Sequence, residues 1–232
     1  MHRRDFLLVS LALTVAMSPA ASEPVGMPEG GAQTMNWEQF VSAMRSLVRH
    51  AGKGQASAQT LGEAGLQLMQ RLDVDGPEFT SALEQSWESG NSFWLWQRLL
   101  RERGLLGGVL NIEQGNDVPL HDHPGATGML RILSGEAEVW QYDVVSDGDA
   151  EAGAVLRRVS HHILRPGDTA VLYPELGNIH ALRALSAECR MLDCFVPPYA
   201  RAMRSWYEPE AVDWRVRERI QCRRIPEQEF YA

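Results

Sequence analysis

The chain has 232 residues, 44% of them hydrophobic and 22% charged, enough for one well-buried domain with appendages and unlike a fibrous, repeat or low-complexity protein. Its formal net charge of -8 at pH 7 argues against a nucleic-acid partner, because binding to a phosphate backbone rests on clustered Lys and Arg.

Taken in chain order, Arg3 and Arg4 precede an uncharged run over residues 6–17 and a small-residue stretch over 18–22, the layout of an export signal. The run is shorter than the roughly 20 apolar residues a mature spanning helix needs, so no stable membrane insertion is expected after cleavage. The opening also resembles the twin-arginine class of bacterial signals, which implies a periplasmic protein, although Leu8 stands where that pattern often has lysine. A general secretory signal is the alternative. A true start at Met27 or Met35 would instead leave the protein in the cytosol. Residues 23–35, rich in Gly, Pro, Ala and Glu, read as a flexible leader.

A single domain is expected over 36–232, with a helical segment over 36–104 and a β-barrel over 105–200. Asn36 is a good N-cap, and Trp37, Phe40, Val41, Met44, Leu47 and Val48 recur at three- and four-residue spacing until Gly52. A second helix is predicted over 58–72. Asp75, Gly76 and Pro77 open a third that runs through about Ser86. These helices are expected to pack against the outside of the barrel.

After Gly104 the period shortens. Strands are predicted over 105–113, 129–133, 137–145, 155–164, 169–172, 179–185 and 189–196, separated by turn signals such as Ser134-Gly135 and Arg165-Pro166-Gly167-Asp168. Many short, evenly spaced strands indicate a mainly β fold, an all-β barrel or double-sheet jelly roll that encloses a cavity.

The chemistry is carried by His121 and His123, one residue apart, and by His180 downstream in Gly177-Asn178-Ile179-His180. On an extended strand alternate side chains share a face, so both members of the first pair can reach one metal ion while Asp122 points away. Burying three imidazoles together is costly unless something binds them. His161 and His162 read as surface residues, His50 as a partner of helix-terminal carbonyls, and His2 as part of the signal. Trp94, Trp96, Trp140 and Trp206 read as core or rim packing, since no basic interleaving makes them a base-stacking platform. Cys189, Cys194 and Cys222 give an odd count without metal spacing, so two pairing and one free is open. The late arginines, Arg201, Arg204, Arg215, Arg217, Arg219, Arg223 and Arg224, read as a solvated face paired with local Glu and Asp.

Gly115, His121, His123 and Gly135 match the first cupin signature, whose usual glutamate ligand, five residues after the second histidine, is here Gly128. The wording His121-Asp122-His123-Pro124-Gly125, then residues 128–135, Gly177-Asn178-Ile179-His180, Leu192-Asp193 and Pro197-Pro198-Tyr199, closely resembles the cysteamine dioxygenase and plant cysteine oxidase family. The resemblance covers roughly residues 105–206. It implies a cupin double-stranded β-helix, usually monomeric, in which His121, His123 and His180 hold a non-haem Fe(II). It also implies conversion of a small aminothiol or an N-terminal cysteine to its sulfinic acid with O₂. Asp193 and Tyr199 match family positions that line the iron pocket and are expected to position substrate or support the ligands; a buried, backbone-bonded Asp193 and a simply packed Tyr199 are the plain alternatives. Two other readings of the whole chain stay open: a cupin enzyme with a different metal or substrate, and a non-catalytic, metal-dependent ligand-binding cupin of the cell envelope.

Overall fold

The structure, a computed structural model, describes residues 34–54, 56–90, 94–102, 104–147, 153–197, 199 and 203–230. The expected export signal and most of the expected leader, residues 1–33, lie outside the described residues. The leader's last residue is pinned: Met35 donates its N–H to the Arg71 carbonyl at 2.7 Å and accepts from the Asp73 N–H at 2.8 Å.

Helix α1 (Trp37–Gly52) begins with a reciprocal cap, in which the Asn36 side chain accepts from the Gln39 N–H and the Gln39 side chain accepts from the Asn36 N–H. Phe40, Met44 and Leu47 form its buried stripe. Helix α2 (Ala58–Arg71) starts at Ser57, whose hydroxyl accepts from the Thr60 N–H, and lies close on the sheet because Gly62 and Gly65 leave no room for a Cβ against Tyr173, Val171 and Met129. Its last turn is bound by Arg131, which donates to the Met69 and Leu72 carbonyls. Helix α3 (Pro77–Glu84) is short, with Pro at its first position.

Twelve strands follow: β1 (Trp87–Gly90), β2 (Trp94–Glu102), β3 (Leu105–Glu113), β4 (Asp117–His121), β5 (Thr127–Ser134), β6 (Ala137–Asp147), β7 (Ala154–Leu164), β8 (Thr169–Leu172), β9 (Ile179–Ala184), β10 (Glu188–Val196), β11 (Ser205–Pro209) and β12 (Arg219–Pro226), then the short helix α4 (Glu227–Phe230). One sheet runs β1-β2-β3-β10-β5-β8. The other, β11-β12-β7-β6-β9-β4, closes on itself through the pairing of Trp206 with His121. This is the expected double-stranded β-helix with helices outside.

Alternation along the first sheet divides the core. Leu105, Val109, Met129, Leu192, Cys194 and Val196 meet the helices, whereas Leu110, Ile112, Leu130, Ile132 and Met191 face the other sheet. Asp193, between Leu192 and Cys194, therefore projects inward.

Two expected boundaries are corrected. The helical segment assigned to 36–104 ends at Glu84, and its remainder supplies β1 and β2 as an edge hairpin on β3. The barrel assigned to 105–200 needs β11 and β12 to close. Both missed regions are interrupted by Arg, Glu or Gln, such as Gln97, Arg98 and Arg101 in β2 and Arg219, Arg223 and Arg224 in β12, which masks the alternation. The three cysteines are all buried and free, so none pairs.

Candidate metal centre

Strands β4 and β9 run antiparallel, and their register sets His121 directly across from His180. His123 lies just beyond the end of β4, where no ladder can hold it. A side chain substitutes for the missing strand: Asn178 Oδ1 accepts from the His123 N–H at 2.9 Å, and its Nδ2 donates to the His123 carbonyl at 3.1 Å. Asn178 thus satisfies both backbone groups of one ligand while sitting two residues before another. Its place in Gly177-Asn178-Ile179-His180 was the available sequence signal.

The three Nε2 atoms converge at 3.1, 3.2 and 3.1 Å from one another, and the three rings are buried. Burial is the main cause holding all three imidazoles well below their ordinary range, His180 down to about 3, with the neighbouring cationic groups adding to the effect. Neutral imidazole is the ligating form. His121 Nδ1 donates to the Pro119 carbonyl at 2.8 Å, which leaves the Nε2 lone pair facing its partners. At ordinary metal–nitrogen lengths of about 2.0–2.1 Å, nitrogens this close reach one ion. The donor set therefore fits a divalent transition metal, held by three neutral ligands.

The missing carboxylate has a steric explanation. A Cβ at Gly128 would stand 2.7 Å from Leu172 and 2.8 Å from the ring of Phe195. The Phe195 ring occupies the space beside residue 128, and it stacks on His123 with centroids 4.3 Å apart. Trp206 lies similarly over His121 at 4.8 Å.

Asp122 turns away from the centre, as expected, and takes a structural part. It is buried, accepts from the Ser205 N–H at 2.7 Å and from the Tyr207 hydroxyl at 3.1 Å, and so ties β11 to the His-bearing turn.

A cavity of about 610 Å³ opens beside the histidines, and Trp94, Trp96, Asp193, Tyr199, Arg204 and Trp206 are among the residues that line it. Asp193 is buried, and desolvation raises its carboxyl to about 8 against the opposing pull of Arg204. Tyr199 lines the same cavity, but its hydroxyl donates to the Phe195 carbonyl at 2.8 Å, bracing the end of β10. Trp94, Trp96 and Trp206 are walls of the cavity as well as packing; only Trp140 belongs wholly elsewhere, buried in the barrel and stacked on His161. His161 and His162 are exposed, as read from the sequence, whereas His50 Nδ1 donates to the Ser46 carbonyl one turn back inside α1 and not to a helix-terminal carbonyl. Arg217 and Arg223 pair with Asp213 and Glu208 at the surface. Arg204 departs from that pattern by entering the cavity.

A double-stranded β-helix with three inward, neutral imidazoles defines a cupin of the metal-site type. Residues 99–217 match the family described as PCO_ADO, about half of the chain, and the chain belongs to that family. Among curated proteins it is similar to plant cysteine oxidase 1 of Arabidopsis thaliana, 33% identical over 96 residues, 40% of this chain and 32% of that one. It is also similar to 2-aminoethanethiol dioxygenase of Mus musculus, 27% identical over 124 residues, 45% and 48% of the two chains. The aligned regions are less than half the length of either relative. Among solved structures, a double-stranded β-helix protein from Klebsiella pneumoniae aligns over 53% of this chain and 87% of its own, with 18% identity and a TM-score of 0.39.

Proposed function

We propose that the chain is a non-haem Fe(II) thiol dioxygenase that converts a small aminothiol or an N-terminal cysteine to its sulfinic acid. The observation that carries this reading is the all-histidine triangle, with Nε2 atoms 3.1–3.2 Å apart and Gly128, packed against Phe195, offering no carboxylate. Neutral ligands leave the full charge of a divalent ion for an anionic partner, and a thiolate is such a partner. The names of the curated relatives, a cysteine oxidase and an aminoethanethiol dioxygenase, point to the same substrate class.

The reaction balances without a further reactant: RSH + O₂ → RSO₂H, with sulfur oxidised by four electrons and both oxygen atoms retained. When bound, iron supplies the spin and electron pathway that a closed-shell thiol lacks toward triplet O₂. The protein's part is positional. His121, His123 and His180 would hold the metal on one side, leaving the cavity side for the reactants. Phe195, Trp206 and Trp96 give that side its apolar ring faces, beside the polar Asp193 and Arg204. Asp193, inward and buried, can take the substrate's amine by hydrogen bond; Tyr199 keeps the rim in place through Phe195.

The test is anaerobic purification with metal quantification, then exposure of cysteamine, cysteine and an N-terminal Cys peptide to air with the loaded protein. A product heavier by two oxygen atoms, formed with matching O₂ uptake, is the expected result. Bound iron with tight thiol binding and no oxygen consumption would leave a ligand-binding cupin instead.

A further inference from the structure

Arg204, beside the histidines, has a chemistry that the dioxygenase reading leaves unused. It lines the cavity, half-buried, with Nη2 3.4 Å from His123 Nδ1 and its guanidinium 5.9 Å from the centre of the Trp206 ring. Among the described residues no carboxylate lies within ion-pair distance of it, whereas Arg217, Arg223 and Arg215 all have one. Its backbone is not adrift: the next residue, Ser205, is fastened to Asp122 at 2.7 Å, so the guanidinium is registered to the two histidines that flank Asp122.

Its polar contact with His123 is also one that metal loading removes. An imidazole that ligates through Nε2 carries its proton on Nδ1, and an N–H cannot accept from a guanidinium. The loaded centre therefore leaves a rigid fork of five donors with an aromatic face beside it and a cavity in front. Such a fork matches a carboxylate bidentately. A half-buried guanidinium with no ion pair among the described residues gains a partner when an anion enters.

We propose that Arg204 is a specificity-determining residue that binds a carboxylate on the thiol substrate, so that the cavity takes mercapto-carboxylates such as cysteine and 3-mercaptopropionate in preference to cysteamine. This rests on the thiol-binding part of the function proposed above. Hydrogen bonds to charged groups contribute about 1.5–3 kcal/mol, which corresponds to roughly a ten- to hundred-fold preference.

The experiment is a titration of the iron-loaded full chain under anaerobic conditions, by calorimetry, with cysteamine, cysteine and 3-mercaptopropionate, followed by KM and kcat for each in air. Expected is tighter binding of the two carboxylates, and in Arg204→Gln a loss for cysteine that exceeds the loss for cysteamine by roughly ten-fold or more, mainly in KM. Arg204→Lys, which keeps charge without the fork, should fall between. Equal affinity of the wild type for cysteine and cysteamine overturns the proposal, as does a parallel loss for all three thiols with loss of iron, which would make Arg204 a support for His123. If neither variant folds, as read by circular dichroism, the wild-type preference decides alone. Thiols that bind with the predicted preference and yet consume no O₂ would refute the oxygenase reading and leave this inference standing.

Discussion

The two walls of the cavity are built on different plans. The wall made by β4 and β9 has its ligands set by backbone: a strand register for His121 and His180, and the Asn178 clamp for His123. The rest of the lining, from β10 in the facing sheet and from the segment at the start of β11, presents side chains with charge or ring faces, namely Asp193, Phe195, Arg204 and Trp206. Backbone fixation gives ligands that need little reorganisation when an ion arrives, whereas the facing side chains act on them only by packing, Phe195 on His123 and Trp206 on His121. Holding a metal and selecting a substrate are separable at residues such as Asp193 that pack no ring on a histidine.

The largest test of that separation is His180→Ala, which should reduce metal affinity by more than about 100-fold while circular dichroism keeps the β signature. A variant that still retained stoichiometric metal would remove the His wall from the account. Acidification comes next. In the protein stripped of metal, His180 sits near 3 against an ordinary 6.5, and His121 and His123 are lowered in the same direction by burial. The unfolded chain then binds protons that the folded chain refuses, so the stability at issue is fully present above pH 6.5 and is lost as pH falls toward about 3. Urea midpoints across that range, against a variant with all three histidines replaced by Gln, should show the slope in the first and a flatter profile in the second. Smaller again is Asn178→Ala, expected to weaken metal binding roughly 10–100-fold because His123 loses the partner of its own backbone. The smallest effect on the metal is expected from Asp193→Asn on the opposite wall, a change under about threefold with the response appearing in thiol KM. Equal metal losses in the Asn178 and Asp193 variants would erase the distinction between the walls.

The His triangle was legible because its signal is local: alternate residues on an extended segment share a face, and Gly115 and Gly135, both at positive φ, mark the turns that bound it. The helices were legible too, since Asn36 and the Phe40–Met44–Leu47 spacing state a cap and a stripe within one segment. Strands β2 and β12 were hidden by their own composition. In β12, Arg219, Arg223 and Arg224 face solvent between the buried Ile220, Cys222 and Ile225, and the run reads as a charged surface. Arg204 was lost in the same crowd of arginines. Its entry into the cavity depends on Ser205 meeting Asp122 across 83 positions of chain, a contact that no local pattern encodes. The double role of Trp94, Trp96 and Trp206 was likewise invisible, because lining a cavity and filling a core call for the same ring.

Gly128 and Phe195 carry one more consequence, for engineering. A carboxylate cannot be returned to this centre by one replacement, since the space beside residue 128 is occupied by a ring that also braces His123. Gly128→Glu alone meets a blocked position, and trimming Phe195 alone leaves a hole beside an unbraced ligand. An acidic side chain at 128 is therefore expected to need a paired change at 195, and the double variant should bind metal better than Gly128→Glu alone.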